Sequence, residues 1–277
     1  MVPSNLIAMI WAELQVVFRR GSGLGAMAVS VLIGLLAVLL MHWSQTNVGA
    51  TEVNGSPIGE MISYSGADCA GWALSGRNFF VLPLLLLFAT GSSIAGELQD
   101  RSMREVLVRP IPRWSVLLAK LVALVGLSAT TLILALLPSL LLGVVRFGAA
   151  GPIVDVLLGY AASLGTDLGI IAFGFVASTL VRSVGGVIVS VILLLMVDTV
   201  ARLMLWLYKT ILGFAQQSLG TAAEAVPDYG LYLPGAALDC WKGWSTGWAW
   251  EPFVGLALLI VISFSAALFR FQRMDIA

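Results

Sequence analysis

Long hydrophobic runs separated by short polar segments dominate the chain. A helix needs about 20 apolar residues to cross a bilayer, and six runs reach or approach that length: 24–43, 78–96, 115–145, 154–181, 184–212 and 252–269. Ahead of them, residues 3–20 place apolar side chains at helical three-and-four spacing. The pattern predicts an all-α integral membrane protein with six transmembrane helices and an amphipathic N-terminal helix in the membrane interface. The alternative for residues 3–20 is the start of the first span, but Gly21-Ser22-Gly23 favours a break.

The longest charge-rich segment, 97–120, lies between spans two and three. A charge at the bilayer centre costs about 2.5–3.5 kcal/mol on insertion scales, so this segment is predicted outside the membrane. Its excess of Arg and Lys predicts a cytoplasmic position, with both termini on the same side. Basic residues expected on that side outside this segment are Arg19, Arg20, Arg182, Arg270 and Arg273, against Arg77, Arg146, Lys209 and Lys242 at or near the other.

Composition agrees with a membrane protein. Hydrophobic residues make up 59% of the chain and charged residues 11%, less than half of the roughly 25% usual in soluble domains. The formal net charge is zero, so nothing in the charge favours nucleic acid as a partner. The sequence has no GxxxxGK[ST] motif and no cluster with metal-ligand spacing. The chain is therefore not expected to bind a metal or to hydrolyse ATP itself.

Two segments are predicted on the external side, 44–77 and 213–250. Within the second, 219–226 and 231–240 are too short to cross and are predicted as external or re-entrant helices, and Trp241, Trp244, Trp248 and Trp250 as an interfacial aromatic belt. Cys69 and Cys240 fall in these two segments. An oxidising external compartment would favour a disulfide between them, and two free thiols remain the alternative.

Three charged residues lie inside predicted spans: Asp167, Asp198 and Arg202. Counted from Arg182, Asp167 and Asp198 lie roughly 22–24 Å along spans four and five, at similar depth. Arg202 is four residues beyond Asp198 and so on the same helix face. An intramembrane cluster of these three is predicted, either as a polar lock or substrate-facing patch or as a structural ion pair between the two spans.

Together these features resemble the membrane subunit of an ABC-2 type transporter. The family pattern between spans two and three, E-x-L-x-x-P-x-x-R followed by Lys, is matched here by Glu105, Leu107, Pro110, Arg113 and Lys120, with Glu97 and Arg101 at the preceding acidic and basic places. The family is also matched by Trp11, Glu13, Leu14, Phe18, Arg19 and Arg20 near the start and by Phe271, Arg273 and Asp275 at the end. One departure is Ser102-Met103, where the family often has Gly-Thr.

The resemblance implies a single ABC-2 type transmembrane domain over 1–277. It implies that residues 99–107, within the segment 97–113, form a coupling helix that seats on a separate ATP-binding subunit. Its contact residues would be Arg101, Met103, Arg104, Glu105 and Val106. ATP and Mg²⁺ would be bound by two copies of that subunit, and the permease would pair with a second copy or a homologous permease. The expected location is the bacterial cytoplasmic (inner) membrane.

The leading functional expectation is therefore a non-catalytic permease that exports a hydrophobic or amphipathic substrate. A second expectation is an ATP-driven membrane component that acts on an extracytoplasmic partner, by mechanotransmission or metalloenzyme maturation, without moving a free solute. A more remote one is an intramembrane enzyme. That class is disfavoured because the sequence has one His and no HExxH or GxSxG motif. Arg202 would also disturb a proton shared between Asp167 and Asp198.

Overall fold

The structure is a computed structural model that describes residues 3–47, 52–53, 56–57, 64–79, 81–100, 112–181, 183–219 and 233–273. Its elements in chain order are α1 (Pro3–Arg19), α2 (Gly21–Asn47), β1 (Glu52–Val53), β2 (Ser56–Pro57), α3 (Gly66–Phe79), α4 (Val81–Gly91), α5 (Arg113–Phe147), α6 (Ile153–Leu180), α7 (Val184–Leu219), α8 (Pro234–Leu238), α9 (Gly243–Thr246) and α10 (Glu251–Gln272). The two short strands pair antiparallel. A π-helical turn (Ser92–Gly96) and a last helical turn (Glu97–Gln99) extend α4, and a 3₁₀ turn (Cys240–Lys242) precedes α9.

Within the described ranges, six helices are long and apolar enough to cross a membrane, which confirms the predicted number of spans. They are Gly21–Asn47, Val81–Gln99, Arg113–Phe147, Ile153–Leu180, Val184–Leu212 and Glu251–Gln272. The chain is therefore a multi-pass membrane protein. Only the second of these helices contains a π-helical turn among the described residues, and such turns occur often at functional sites.

The segment 44–77 is not simply an external loop, because most of its second half is the helix α3. The helix begins with a reciprocal cap: Asp68 Oδ2 accepts from the Ser65 backbone N–H at 2.8 Å, and Ser65 Oγ accepts from the Asp68 N–H at 3.2 Å. Along α3, the small residues Ala67, Ala70 and Ala73 are completely buried. Because α3 is buried, its last turn lies inside the bundle and not at the external surface, where it was predicted.

One end of the bundle, called the basal end here, holds both ends of the described chain. Val17 of α1, Val116 near the start of α5 and Phe271 at the end of α10 belong to one buried apolar cluster there. A second cluster lies toward the opposite, distal end, where Leu74, Tyr160 and Trp241 pack together. The two clusters fix the helices around the polar groups that lie between them.

The tryptophans near the start of α10 divide between core and surface, which differs from a uniform interfacial belt. Trp241 is buried, whereas Trp250 is 66% exposed. Trp244 lies so close to α3 that a side chain at Gly71 would overlap its ring. Glycine at position 71 therefore makes room for the indole ring, which a Cβ there would displace.

Candidate functional site

A fully buried ion pair lies midway along α6. Arg77 Nη2 donates to Asp167 Oδ2 at 2.6 Å, and the two side chains are 0% and 1% exposed. The ion pair joins α3 to α6 across the centre of the bundle. A pair of charges at this depth is tolerated only where each charge has a partner and further hydrogen bonds.

Hydroxyl groups from α5 and α6 supply those further bonds. Asp167 Oδ2 also accepts from Ser128 Oγ at 2.5 Å, and Thr131 Oγ1 accepts from Arg77 Nη2 at 3.0 Å. The guanidinium also donates to Asn78 Oδ1 at 2.7 Å. We call Arg77, Asn78, Ser128, Thr131, Ser163 and Asp167 the core network. Within it, Arg77 Nε is buried without a hydrogen-bond partner among the described residues.

A second group of charges, the rim network, comprises Asp198, Arg202, Asp239 and Lys242. Arg202 Nε donates to Asp198 Oδ2 at 2.9 Å and Arg202 Nη1 to Asp239 Oδ2 at 3.2 Å. Lys242 Nζ lies 2.9 Å from the other oxygen of Asp239. Arg202 is 33% exposed, so the rim network is only partly buried. It connects α7 to the short segment between α8 and α9.

The rim network depends on a close approach of backbone to side chain at Gly235. The backbone N–H of Gly235 donates to Asp198 Oδ1 at 3.0 Å. A Cβ at this position would overlap both Asp198 and Arg202. Asp198 thus has a partner on each carboxylate oxygen, and the glycine allows the first turn of α8 to lie against the ion pair.

The structure separates the three residues predicted as one intramembrane cluster into two ion-paired networks. Asp198 and Arg202 are in contact, but the partner of Asp167 is Arg77 and not Arg202. Arg202 thus neutralises one of the two carboxylates, Asp198, whereas α3 brings a second arginine between α5 and α6 that pairs with Asp167. The signal available in the sequence was Arg77 itself, an arginine immediately before a hydrophobic run. The prediction missed it because the preceding segment is rich in Gly and Ser.

A cavity of about 210 Å³ lies between the two networks. Asp167 and Asn78 of the core network line it on one side, and Arg202 and Asp239 of the rim network line it on the other. The remaining described lining residues are Pro83, Thr166, Ile170, Leu195, Thr199, Gly235, Leu238 and Trp241. An apolar cavity with a few convergent polar groups is the usual form of a small-molecule site.

A third group of charges, the basal network, comprises Glu13, Arg20, Glu97 and Lys120. Lys120 Nζ lies 2.9 Å from Glu13 Oε1 and 2.8 Å from Glu97 Oε2. Arg20 Nη2 donates to the other oxygen of Glu97 at 3.0 Å. Lys120 is buried although it was predicted within the extramembrane charged segment. The network joins α1, the junction between α1 and α2, the end of span two and α5.

The end of the last span is tied to the same region by Arg113. Its Nη1 donates to the backbone carbonyl of Gln272 at 2.8 Å. The carbonyl belongs to the last turn of α10, where carbonyl groups lack partners within the helix. Consequently the first and last residues of the segment 97–113, Glu97 and Arg113, are both bonded to other elements of the bundle.

The residues predicted to contact an ATP-binding subunit lie outside the described residues. They are Arg101, Met103, Arg104, Glu105 and Val106. The two described residues that bound this stretch are Asp100, whose N–H donates to the Gly96 carbonyl at 2.9 Å, and Pro112, which precedes α5. The prediction of a coupling helix there remains a prediction.

The two cysteines are free, buried thiols, so the disulfide predicted as one alternative is not formed in the structure. Cys69 Sγ lies 3.6 Å from Met41 Sδ, whereas Cys240 Sγ lies 3.5 Å from Thr166 Oγ1. The two thiols therefore pack in different clusters. Burial raises the pKa of Cys69 to about 11, and burial also raises the pKa of Cys240.

A further groove, of about 470 Å³, lies between α2 and α3. Its described lining is apolar at Ile33, Leu36 and Leu40, and its two hydroxyl groups, Ser44 and Tyr64, bond to each other at 3.0 Å. The two hydroxyl groups of the groove are therefore already bonded to each other. The chemistry of the site lies in the smaller cavity between the core and rim networks.

Comparison with known families gives one match. The model of a family described as "Protein of unknown function (DUF2705)" matches residues 62–277. The match includes all of the core and rim networks, and Glu97 and Lys120 of the basal network. No curated protein matches the chain.

Proposed function

The chain belongs to the family described as a protein of unknown function (DUF2705), and we propose that it is the membrane permease subunit of an ABC-2 type transporter. In this proposal ATP and Mg²⁺ are bound by a separate ATP-binding subunit, present in two copies. The permease pairs with a second copy of itself or with a similar chain in a bacterial cytoplasmic membrane, with both termini cytoplasmic. It exports a hydrophobic or amphipathic substrate.

The single observation that carries the proposal is how the segment 97–113 is anchored. Its first residue, Glu97, is paired with Arg20 and Lys120, and its last residue, Arg113, bonds to the Gln272 carbonyl. A solvated loop needs no such anchorage at its two ends. A segment that receives force from a partner protein does need it, because a loose end would absorb the motion.

The basal network gives such a force a route into several helices at once. Lys120 is one residue contacted by two carboxylates, Glu13 on α1 and Glu97 at the end of span two. A displacement of a coupling helix at 99–107 would therefore move α1, span two and α5 as connected rigid bodies. The apolar side chains of Ile7 and Trp11 are 67% and 63% exposed, which supports an interfacial position for α1.

The cavity between the core and rim networks favours a transporter that moves a solute over a membrane component that moves none. It combines apolar walls at Ile170, Leu195 and Leu238 with polar side chains, as an amphipathic solute requires. An intramembrane aspartyl enzyme is less well supported, because Asp167 and Asp198 are each paired with a different arginine. Two carboxylates in that state do not share a proton.

The experiment that tests the proposal is co-purification with the ATP-binding subunit encoded nearest to it. The permease is purified as wild type and with the charge reversal Arg104→Glu together with Glu105→Arg. We expect a stable complex with the wild type and loss of the complex with the reversal. ATPase activity in lipid vesicles then reports whether the complex is functional.

A matched control is the reversal of charge at the distal end, Asp239→Lys together with Lys242→Asp, which leaves the segment 97–113 unchanged. The complex should survive that change. If no ATP-binding subunit associates with the wild type, the proposal is overturned. If an active complex forms but acts on an external protein without moving a solute, the mechanotransmission alternative replaces the permease.

A further inference from the structure

The cavity between the core and rim networks has an acceptor that the protein leaves unused. Among the described residues, the contacts of the Asp167 carboxylate with Arg77 and Ser128 both fall on Oδ2. Asp167 also lines the cavity. Its second oxygen, Oδ1, is therefore the atom available to a ligand, and it can accept an N–H or O–H donor.

The opposite wall supplies donors and a second polar position. Arg202 is one-third exposed and Lys242 nearly one-half exposed. Lys242 belongs to an adjoining cavity of about 370 Å³, which shares Asn78, Asp239 and Trp241 with the first. A ligand that reaches from one cavity into the other thus meets acceptors on one side and donors on the other, and Trp241 borders both cavities.

Among the described residues, the negative and positive side chains around the two cavities are equal in number. Three carboxylates, Asp167, Asp198 and Asp239, face three cations, Arg77, Arg202 and Lys242. Each carboxylate is already in contact with a cation. A ligand with net charge would enter this low-dielectric space without a counter-charge, which is strongly unfavourable. A neutral ligand avoids that cost.

A neutral ligand that lacks hydrogen-bond donors would leave Asp167 Oδ1 unpaired after displacing water from the cavity. Hydroxyl groups satisfy both walls, because each hydroxyl donates one hydrogen bond and accepts others. Sugar and polyol rings also present C–H faces that pack against an aromatic ring such as Trp241. Ile170, Leu195 and Leu238 on the remaining wall suit an alkyl chain.

From this geometry we propose that the paired cavity binds a net-neutral amphiphile with a polyhydroxylated head group, of the sugar or polyol class. The head group lies between Asp167, Asn78, Asp239 and Lys242, and its hydroxyls donate to Asp167 Oδ1. The alkyl chain lies along Ile170, Leu195 and Leu238. This inference deepens the proposed function and rests on it for the role of the ligand as cargo.

The test measures binding to the purified full-length permease, held in an amphipathic polymer so that no glycoside detergent is present. The probe is radiolabelled octyl β-glucoside below its micellar concentration, and the saturable component is defined by displacement with unlabelled probe. Competitors of the same chain length are octylamine, octyl phosphate and octyl methyl ether. We expect each of the three to displace the probe at least tenfold less effectively than octyl glucoside does.

A matched pair of variants locates the site. Thr199 lines the cavity and Thr210 does not, yet both lie on α7 and both donate to the carbonyl four residues earlier, at 2.8 and 2.9 Å. Thr199→Leu adds volume inside the cavity without touching a charge, and should weaken glucoside binding at least tenfold. Thr210→Leu should leave it within twofold of wild type. Melting temperatures equal to that of the wild type show that neither variant has lost its fold.

Three results would overturn the inference: no saturable glucoside binding, equal or better displacement by a charged competitor or by the ether, or binding unaffected by Thr199→Leu. None of these measurements uses ATP or the ATP-binding subunit. A binding failure with an intact ATPase complex therefore removes only the ligand class. A failure of complex formation overturns the proposed function and leaves the binding result valid.

Discussion

The core and basal networks both join distant parts of the chain through charge, but they differ in exposure. Arg77 and Asp167 of the core network are 0% and 1% exposed, and hydroxyl groups supply their further hydrogen bonds. In the basal network the carboxylates of Glu13 and Glu97 are 19% and 16% exposed, and Arg20 is 33% exposed. Water can therefore reach both carboxylates of the basal network, whereas in the core network it reaches no more than the cavity face of Asp167.

This difference assigns the two networks different tasks. A pair that is almost completely buried holds one arrangement, because every alternative leaves an unpaired charge in the interior. In the basal network the buried Lys120 can keep one carboxylate when it loses the other, and the released carboxylate is partly hydrated. The core network is thus suited to fix α3, α5 and α6 around the cavity, and the basal network is suited to move.

The largest effect is expected from breaking the core pair. Asp167→Ala leaves Arg77 buried without its carboxylate and should lower the free energy of unfolding by about 3–5 kcal/mol. Denaturant unfolding in micelles measures it. The double variant Arg77→Met with Asp167→Leu removes both charges and should recover most of the loss. A single variant as stable as wild type would contradict the static role of this pair.

Breaking the basal network should lower stability less than breaking the core pair does, but it should impair function more. Lys120→Met removes the contact to Glu13 and Glu97 and should cost about 1.5–3 kcal/mol, because both carboxylates keep access to water. The ATP-binding subunit should still co-purify, but its ATPase activity should no longer respond to the permease. Glu13→Gln, which keeps a hydrogen-bond acceptor for Lys120, serves as the control. A fully coupled Lys120→Met complex would exclude this route of transmission.

A substitution in the rim network should lower the free energy of unfolding by a still smaller amount. Arg202→Gln keeps a side chain that can donate to Asp198 four residues earlier, and Asp198 retains the Gly235 N–H. We expect a loss of about 1 kcal/mol, typical of a partly exposed pair. The same unfolding measurement tests it. A loss equal to that of Asp167→Ala would mean that the rim network is as essential to the fold as the core pair.

The smallest effect is expected at the cysteines. With its pKa raised to about 11, Cys69 stays in the thiol form below that pH, and the pKa of Cys240 is raised in the same direction. N-ethylmaleimide at pH 8 should therefore label neither residue in the folded protein, and both after denaturation without reductant. Failure to label the denatured, unreduced protein would reveal a disulfide.

The spans were predictable from the sequence because hydrophobic length and the cost of burying charge decide them locally. The contact between Asp198 and Arg202 follows in the same way from helical spacing. The partners of Asp167 and Lys120 did not follow. They depend on α3 packing inside the bundle and on α1 lying across α5, and both are tertiary contacts between residues far apart in the chain. A Gly- and Ser-rich segment gives no sign of burial until its neighbours are known.

In the proposed transporter, motion passes from the ATP-binding subunit through the basal network into the spans. Spin labels at Leu24 and Phe269, exposed positions near the basal ends of α2 and α10, report that motion as a distance distribution in the complex. The distribution should shift when ATP is added to the wild-type complex and should not shift with Lys120→Met. An unchanged distribution in an active wild-type complex, or the same shift in both proteins, would contradict this route.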